Sequence, residues 1–245
     1  MTRSTTNLAL LAALVLAAWQ ALHWIVGDTA ITAPAPTIRH LWDLARTPEF
    51  WEATGNTAWA FLWAACLSAV GGVLLGVALG SSRLVREAVE PVLISIYSLP
   101  KITLYPIILL VFGLGFSAKV ALGVLHGFVP VAILTMNAVG GIDRVFIRSA
   151  HALSLSVPRA VWSIYLPAAL PGIISGLRVG LSLSLLGTLI GEMFASQSGL
   201  GSLLMKAIEL AQVQTILAVA LFLSIFALVM NATLLAIDHH FHRRA

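Results

Sequence analysis

Residues 57–80 read TAWAFLWAACLSAVGGVLLGVALG, without a single charged side chain. Wound as a helix at 1.5 Å per residue, such a stretch reaches about 36 Å, more than the roughly 30 Å of a bilayer's hydrocarbon. It is one of several. Apolar stretches of similar length lie at about 7–27, 91–114, 118–140, 172–194 and 215–237, so the sequence predicts an all-α transmembrane protein with six spans and a single membrane domain over 1–245. The whole chain has 245 residues, 59% of them hydrophobic and 10% charged. A water-soluble fold cannot hide that much apolar surface, which excludes a disulfide scaffold, a disordered tail protein and a free-standing nucleotide-binding enzyme.

The net charge of +4 comes without any run of five Lys/Arg, so it points to cationic loops at a lipid bilayer and not to nucleic acid. Arg3, Arg83, Arg86, Arg144, Arg148, Arg159, Arg243 and Arg244 fall on one side of the predicted spans. Only Arg39, Arg46, Lys119 and Lys206 fall on the other, which places both termini in the cytoplasm by the positive-inside rule. Ala33-Pro34-Ala35 has the look of a cleavage site, but the preceding apolar stretch exceeds the 7–15 residues of a signal core and is read as a span. Cys66, the lone cysteine, reads as a buried inert thiol.

Two connecting segments stand out. Segment 28–56 opens with Pro34 and Pro36, expected to interrupt a helix, and continues as a short amphipathic stretch over Thr37–Leu44. Segment 141–171 carries Ala150, Ala152, Leu153 and Leu155 as a short helix punctuated by Pro158. A loop of that length with its own helix suggests a docking element.

Within it, Arg148-Ser149-Ala150-His151-Ala152-Leu153-Ser154 is followed nine residues later by Ile164-Tyr165-Leu166-Pro167. The spacing resembles the EAA loop of binding-protein-dependent ABC importer permeases: Glu-Ala-Ala, three residues, Gly, nine residues, Ile-x-Leu-Pro. Here Arg148, Ser149 and Ser154 replace the Glu, the first Ala and the Gly, while Ala150, Ile164, Leu166 and Pro167 fit. Ser98-Leu99-Pro100-Lys101 with Pro106, Phe112-Gly113-Leu114-Gly115, Gly176-Leu177-Arg178, and Glu192-Met193 with Ser198-Gly199-Leu200-Gly201 are similar to the nitrate/sulfonate/taurine branch of that family. The resemblance implies a type I importer permease of the inner membrane. It would work as a homodimer with two ATPase subunits at Arg148–Leu155 and a periplasmic or lipid-anchored substrate-binding protein on the opposite side. The implied cargo is a small anion; relatives carrying vitamin precursors or aromatic acids are the alternative. No Gly-x-x-x-x-Gly-Lys-Ser/Thr loop occurs in the chain, so ATP and Mg are expected on a partner and no cofactor on this polypeptide.

Polar groups inside spans are costly and therefore candidates for function. Lys101, counted from the start of the 91–114 stretch, falls near the midplane between Pro100 and Pro106. It either attracts an anion in the translocation path, pairs with a carboxylate such as Glu192, or snorkels. Tyr97, Ser98, Thr103 and Tyr105 offer hydroxyls around it, and Glu192 with Ser196 and Ser198 could form an external gate. Arg178 reads as interfacial, and His126 and Asn137 as packed polar groups. His239, His240 and His242 beside Arg243-Arg244 read as a solvated cationic tail and not a metal site. No catalytic constellation converges, and Glu192 is the lone carboxylate available to an ion-coupled transporter. Ala64, Ser68, Gly72, Gly76 and Gly80, and likewise Gly172, Gly176, Gly180, Ser184 and Thr188, recur every fourth residue as helix-packing ridges. The first is expected to pack within the chain; the second leaves open whether its partner is the same chain or another copy.

Overall fold

The computed structural model describes residues 2–242, with the side chains of 2–6, 8, 9, 151, 157, 158 and 237–242 left aside. Arg243 and Arg244 lie outside the described residues, as do the side chains of His239, His240 and His242. Helices account for nearly all of the described chain: α1 (Thr2–Val26), α2 (Pro34–Leu44), α3 (Pro48–Gly80), α4 (Arg83–Ser98), α5 (Tyr105–Phe112), α6 (Phe116–Gly140), α7 (Arg144–Ala152), α8 (Val157–Ala160), α9 (Leu166–Ala195), α10 (Leu200–Glu209) and α11 (Val213–His242). Among them Pro48–Gly80, Phe116–Gly140, Val161–Ala195 and Val213–Ala236 are long and apolar enough to cross a bilayer. The first predicted stretch lies in α1, whose apolar part is Leu10–Val26.

The stretch expected at 91–114 is not one straight rod. Arg83–Ser98 and Lys101–Phe112 meet at 83°, because Pro100 has no amide to donate and Leu99 before it is held extended (ψ 137°). A short 3-10 turn, Lys101–Leu104, then leads into α5. Pro34 and Pro36 also act differently from expectation. They begin α2 instead of interrupting a helix, since the first turn needs no amide donors and favours proline's fixed φ.

The centre of the molecule is a three-helix seam made by the small residues. A Cβ on Gly72, Gly76 or Gly80 would lie 2.7 Å from Val131, 2.5 Å from Thr135 and 2.6 Å from the Met136 carbonyl. Numbers rise together along both helices, so α3 and α6 run parallel. Gly172, Gly180 and Gly191 approach Ala138, Val131 and Lys119 in turn, so α9 runs antiparallel to α6. Gly127 lies where all three meet: a Cβ there would come within 1.9 Å of Ser184 Oγ and 2.9 Å of Ser68 Oγ. Ser184 Oγ donates to Ser68 Oγ at 3.1 Å. Both ridges therefore pack within the chain, which settles the open partner of the second. Lipid supplies no hydrophobic drive for helix association, so close backbone approach and its dispersion contacts must hold the seam.

At the end of the bundle that carries α10, Phe50, Leu200 and Val219 are buried together, and Phe222 meets Phe50 edge-on at 4.9 Å between ring centres. This joins the start of α11 to α3 and α10. His40 Nε2 lies 3.0 Å from Thr215 Oγ1, tying α2 to the same helix. The outer faces stay apolar and open: Leu74 is 66% exposed, Leu110 87% and Leu228 69%. For a membrane protein those are the surfaces lipid or another subunit covers.

Candidate functional site

The segment after α6 builds a short helix with both ends capped. The carboxylate of Asp143 accepts from Val145 N–H at 2.9 Å, satisfying one of the free donors at the start of α7. At the other end Leu153 N–H reaches Ser149 O at 3.0 Å and Leu155 N–H reaches Ala150 O at 3.1 Å. The second bond closes the six-residue turn of a Schellman cap, with Ser154 left-handed at φ 49° in the position that favours glycine. The helix thus spans Arg144–Ala152, earlier than the Ala150–Leu155 expected, and Leu153–Leu155 form its stop. Ala150 is 2% exposed, whereas Arg148, Ser149, Ala152, Leu153 and Ser154 are exposed and Leu155 is half-buried. The side chain of His151 lies outside the described residues.

Behind α7 the backbone widens into one π turn, Val161–Tyr165, in which Leu166 N–H bonds back to Val161 O. It directly precedes Pro167, which cannot donate to residue 163. Ile147, Val161, Tyr165, Leu166 and Ile173 line a cavity of about 360 Å³ between this turn and the ends of α3 and α6.

At the opposite end of the bundle lies a buried polar cluster. Glu192 is 0% exposed and Lys119 2%. Lys119 Nζ donates to Glu192 Oε1 at 3.2 Å and to Ser198 O at 3.3 Å. Glu192 Oε2 accepts from Thr57 Oγ1 at 2.7 Å and from Gly201 N–H at 3.1 Å, and Thr57 Oγ1 accepts from Leu200 N–H at 2.8 Å. One carboxylate therefore joins α3, α6, α9, the 196–199 turn and α10. Two expectations are corrected here. Lys119, counted with the external cations from the edge of the 118–140 stretch, is a buried partner, because α6 begins at Phe116 and carries it into the bundle. Glu192 pairs with Lys119 and not with Lys101, and it is fully buried. Ser196 and Ser198 bond to each other: Ser198 N–H donates to Ser196 Oγ at 3.1 Å. Glu49, Glu52, Asn56, Gln197, Ser202 and Lys206 surround a small polar cavity of about 180 Å³ above the cluster.

Lys101 sits at the break between α4 and α5. Its ammonium donates to Tyr97 O at 3.1 Å and stands 4.7 Å over the Tyr97 ring, a cation–π arrangement. Three of the four hydroxyls expected around it are engaged with backbone. Ser98 Oγ donates to Ile94 O, Thr103 Oγ1 to Pro100 O and the Tyr105 hydroxyl to Phe194 O. The depth assigned to Lys101 from a straight helix does not survive the 83° bend. His126 is packed, its Nδ1 2.8 Å from Leu122 O. Among the described residues no group of three or more His, Cys, Asp or Glu could hold a metal ion.

The family of binding-protein-dependent transport system inner membrane components matches residues 50–245. This chain belongs to it. The permease is 29% identical to the taurine transport system permease protein TauC of Escherichia coli over 96% of this chain and 87% of TauC. It is 28% identical to the putative aliphatic sulfonates transport permease protein SsuC of Bacillus subtilis, over 85% of this chain and 76% of that one. A nitrate import permease protein, NrtB of Leptolyngbya laminosa, shares 25% over 89% and 81%. Among solved structures, an inward-facing MetNI methionine ABC transporter chain superposes with a TM-score of 0.62 at 20% identity, over 82% of this chain and 96% of that one. The fold is therefore that of the type I importer permeases, and the protein is a multi-pass transporter subunit.

Thr57 and Lys119 are the residues of this permease that sequence reading missed as partners. The clue for Lys119 was its place inside the predicted span at 118–140, although it was counted with the external cations.

Proposed function

We propose that the chain is the membrane-spanning subunit of an ATP-driven importer for small anions, with a sulfonate or taurine first and nitrate next. Hydrolysis of ATP with Mg belongs to a separate ATPase that seats on α7. A substrate-binding protein delivers solute at the α10 end, and two copies of the permease form the pathway. The observation that carries this reading is α7 itself: a doubly capped helix at one end of the bundle, its Ala150 side buried and Arg148 side exposed, on the spacing of the ATPase-coupling loop.

Six crossings of one domain would put both termini on the α7 side, the cytoplasmic one by the arginine count; the parallel run of α3 and α6 on either side of the bent α4–α5 pair and the antiparallel run of α9 support that order. The relatives' names support the anion class, and Lys101, at a break that exposes polar backbone, is the cation best placed to meet such a solute.

The test is uptake into vesicles with and without ATP across taurine, alkanesulfonates and nitrate, with riboflavin included because RibX of Chloroflexus aurantiacus, 29% identical, is a riboflavin transport system permease protein. Deleting 150–155 should abolish ATP-driven uptake while the chain still inserts in the membrane. Transport that survives the deletion, or that ignores nucleotide, refutes the reading.

A further inference from the structure

The outward face of α7 bears charge of one sign. Ala150, 2% exposed, marks its inward side, with Ile147 partly lining the cavity although 37% exposed. At about 100° per residue the opposite stripe is Val145, Arg148 and Ala152, with Arg144 one turn from Arg148; all four are exposed. Arg159 on α8 is exposed as well. Asp143 is the one carboxylate in 141–171, and its Oδ1 is occupied by Val145 N–H. Among the described residues neither Arg144 nor Arg148 enters an ion pair.

We infer that the ATPase groove receiving α7 is acidic where it meets Arg148, so that this permease accepts an ATPase of opposite docking polarity to those serving permeases with Glu at that position. The inference rests on the docking role proposed above and adds the partner's chemistry to it. Arg148 lies midway along the outward stripe, between the turns of Val145 and Ala152, where a closing interface would strip its water. A guanidinium so buried needs a carboxylate, which it binds through two parallel hydrogen bonds. A groove built for a glutamate would instead present like charge, which excludes the wrong motor. Anionic lipid is the competing taker. However, a helix lying in the headgroup region needs one continuous apolar face, and on α7 the exposed apolar residues Val145, Phe146 and Ile147 are consecutive and so point to different sides, while Ala150 is buried.

Arg148→Lys gives a direct probe, because a carbodiimide joins a lysine amine to a carboxylate in contact with it, with loss of one water. In the tagged full-length assembly purified with its ATPase, mass spectrometry should find position 148 linked to an Asp or Glu of the ATPase chain. Arg148→Lys should retain most ATPase, and Arg148→Glu should lower ATPase retention and ATP-driven uptake by more than about tenfold. Full retention and uptake in Arg148→Glu overturn the acidic groove. So does an Arg148→Lys assembly that transports but yields no link to an ATPase carboxylate. If the wild type couples only in vesicles containing phosphatidylglycerol and position 148 gives no such link, Arg148 belongs to lipid and the inference fails. Survival of ATP-driven uptake after deletion of 150–155 would instead remove the docking role itself, which separates the two failures.

Discussion

Lys119 Nζ and Glu192 Oε1, 73 residues apart in sequence, face each other at 3.2 Å in an ion pair almost sealed from solvent. Thr57 and Gly201 saturate the other carboxylate oxygen, so the pair meets the condition under which a buried charge is tolerated. Removing one partner strands the other. Lys119→Met or Glu192→Met should each destabilise the permease by about 3–5 kcal/mol, and the Lys119→Met/Glu192→Met double variant by less than the sum. Thermal unfolding of the four proteins in one detergent checks this; additive losses would show that the pair is not coupled.

Gly199 lies at φ 110°, and a Cβ there would stand 2.1 Å from Glu192 Oε1. Gly199→Ala should therefore cost more than about 2 kcal/mol, from backbone strain plus displacement of the carboxylate. Gly55, inside α3 with nothing within 4 Å of its would-be Cβ, provides the contrast. Gly55→Ala should be neutral or stabilise by up to about 1 kcal/mol. Equal melting temperatures for the two variants would contradict the geometry.

At Ser154 the same logic runs in reverse. A serine held left-handed at the α7 stop is strained by about 1 kcal/mol relative to glycine. Ser154→Gly should slow proteolysis within 141–171 without loss of ATP-driven uptake. Faster cleavage would indicate that the serine side chain contributes something glycine lacks.

Lys101 has described partners only within its own turn, the Tyr97 carbonyl and ring. Lys101→Ala should leave the unfolding temperature within about a degree or two of wild type, the expectation for a half-buried side chain with no described partner beyond its own turn, while lowering anion uptake. Unchanged uptake kinetics would take Lys101 out of the solute's path.

Much of the bundle was legible because helical periodicity projects directly onto sequence. Small residues every fourth position along 64–80 and 172–188 can only form a stripe on one side of a helix, and both stripes became seams. The 148–154 spacing likewise marked the connecting helix, and its departure at Ser154 coincides with a backbone angle that sequence pattern alone leaves undefined. Pairings between distant segments were hidden. Nothing local to Lys119 announces Glu192: the lysine stands at the edge of the 118–140 stretch and was counted with the external cations. Pro100 advertised a break in the third stretch but not its 83° turn, which depends on how α5 settles against α6 and α9 around Ile108, Ala118, Leu122 and Ala195.

The glycine seam has a mechanical consequence. With backbones of α3, α6 and α9 in near contact along most of their length, little compressible side-chain material separates them. The trio should travel as one piece, and α9, about 45 Å long at 1.5 Å per residue over Leu166–Ala195, becomes a push-rod. Displacement applied beneath the π turn would emerge at Glu192 with its amplitude intact, leaving the 83° corner between α4 and α5 as the place where the molecule can flex.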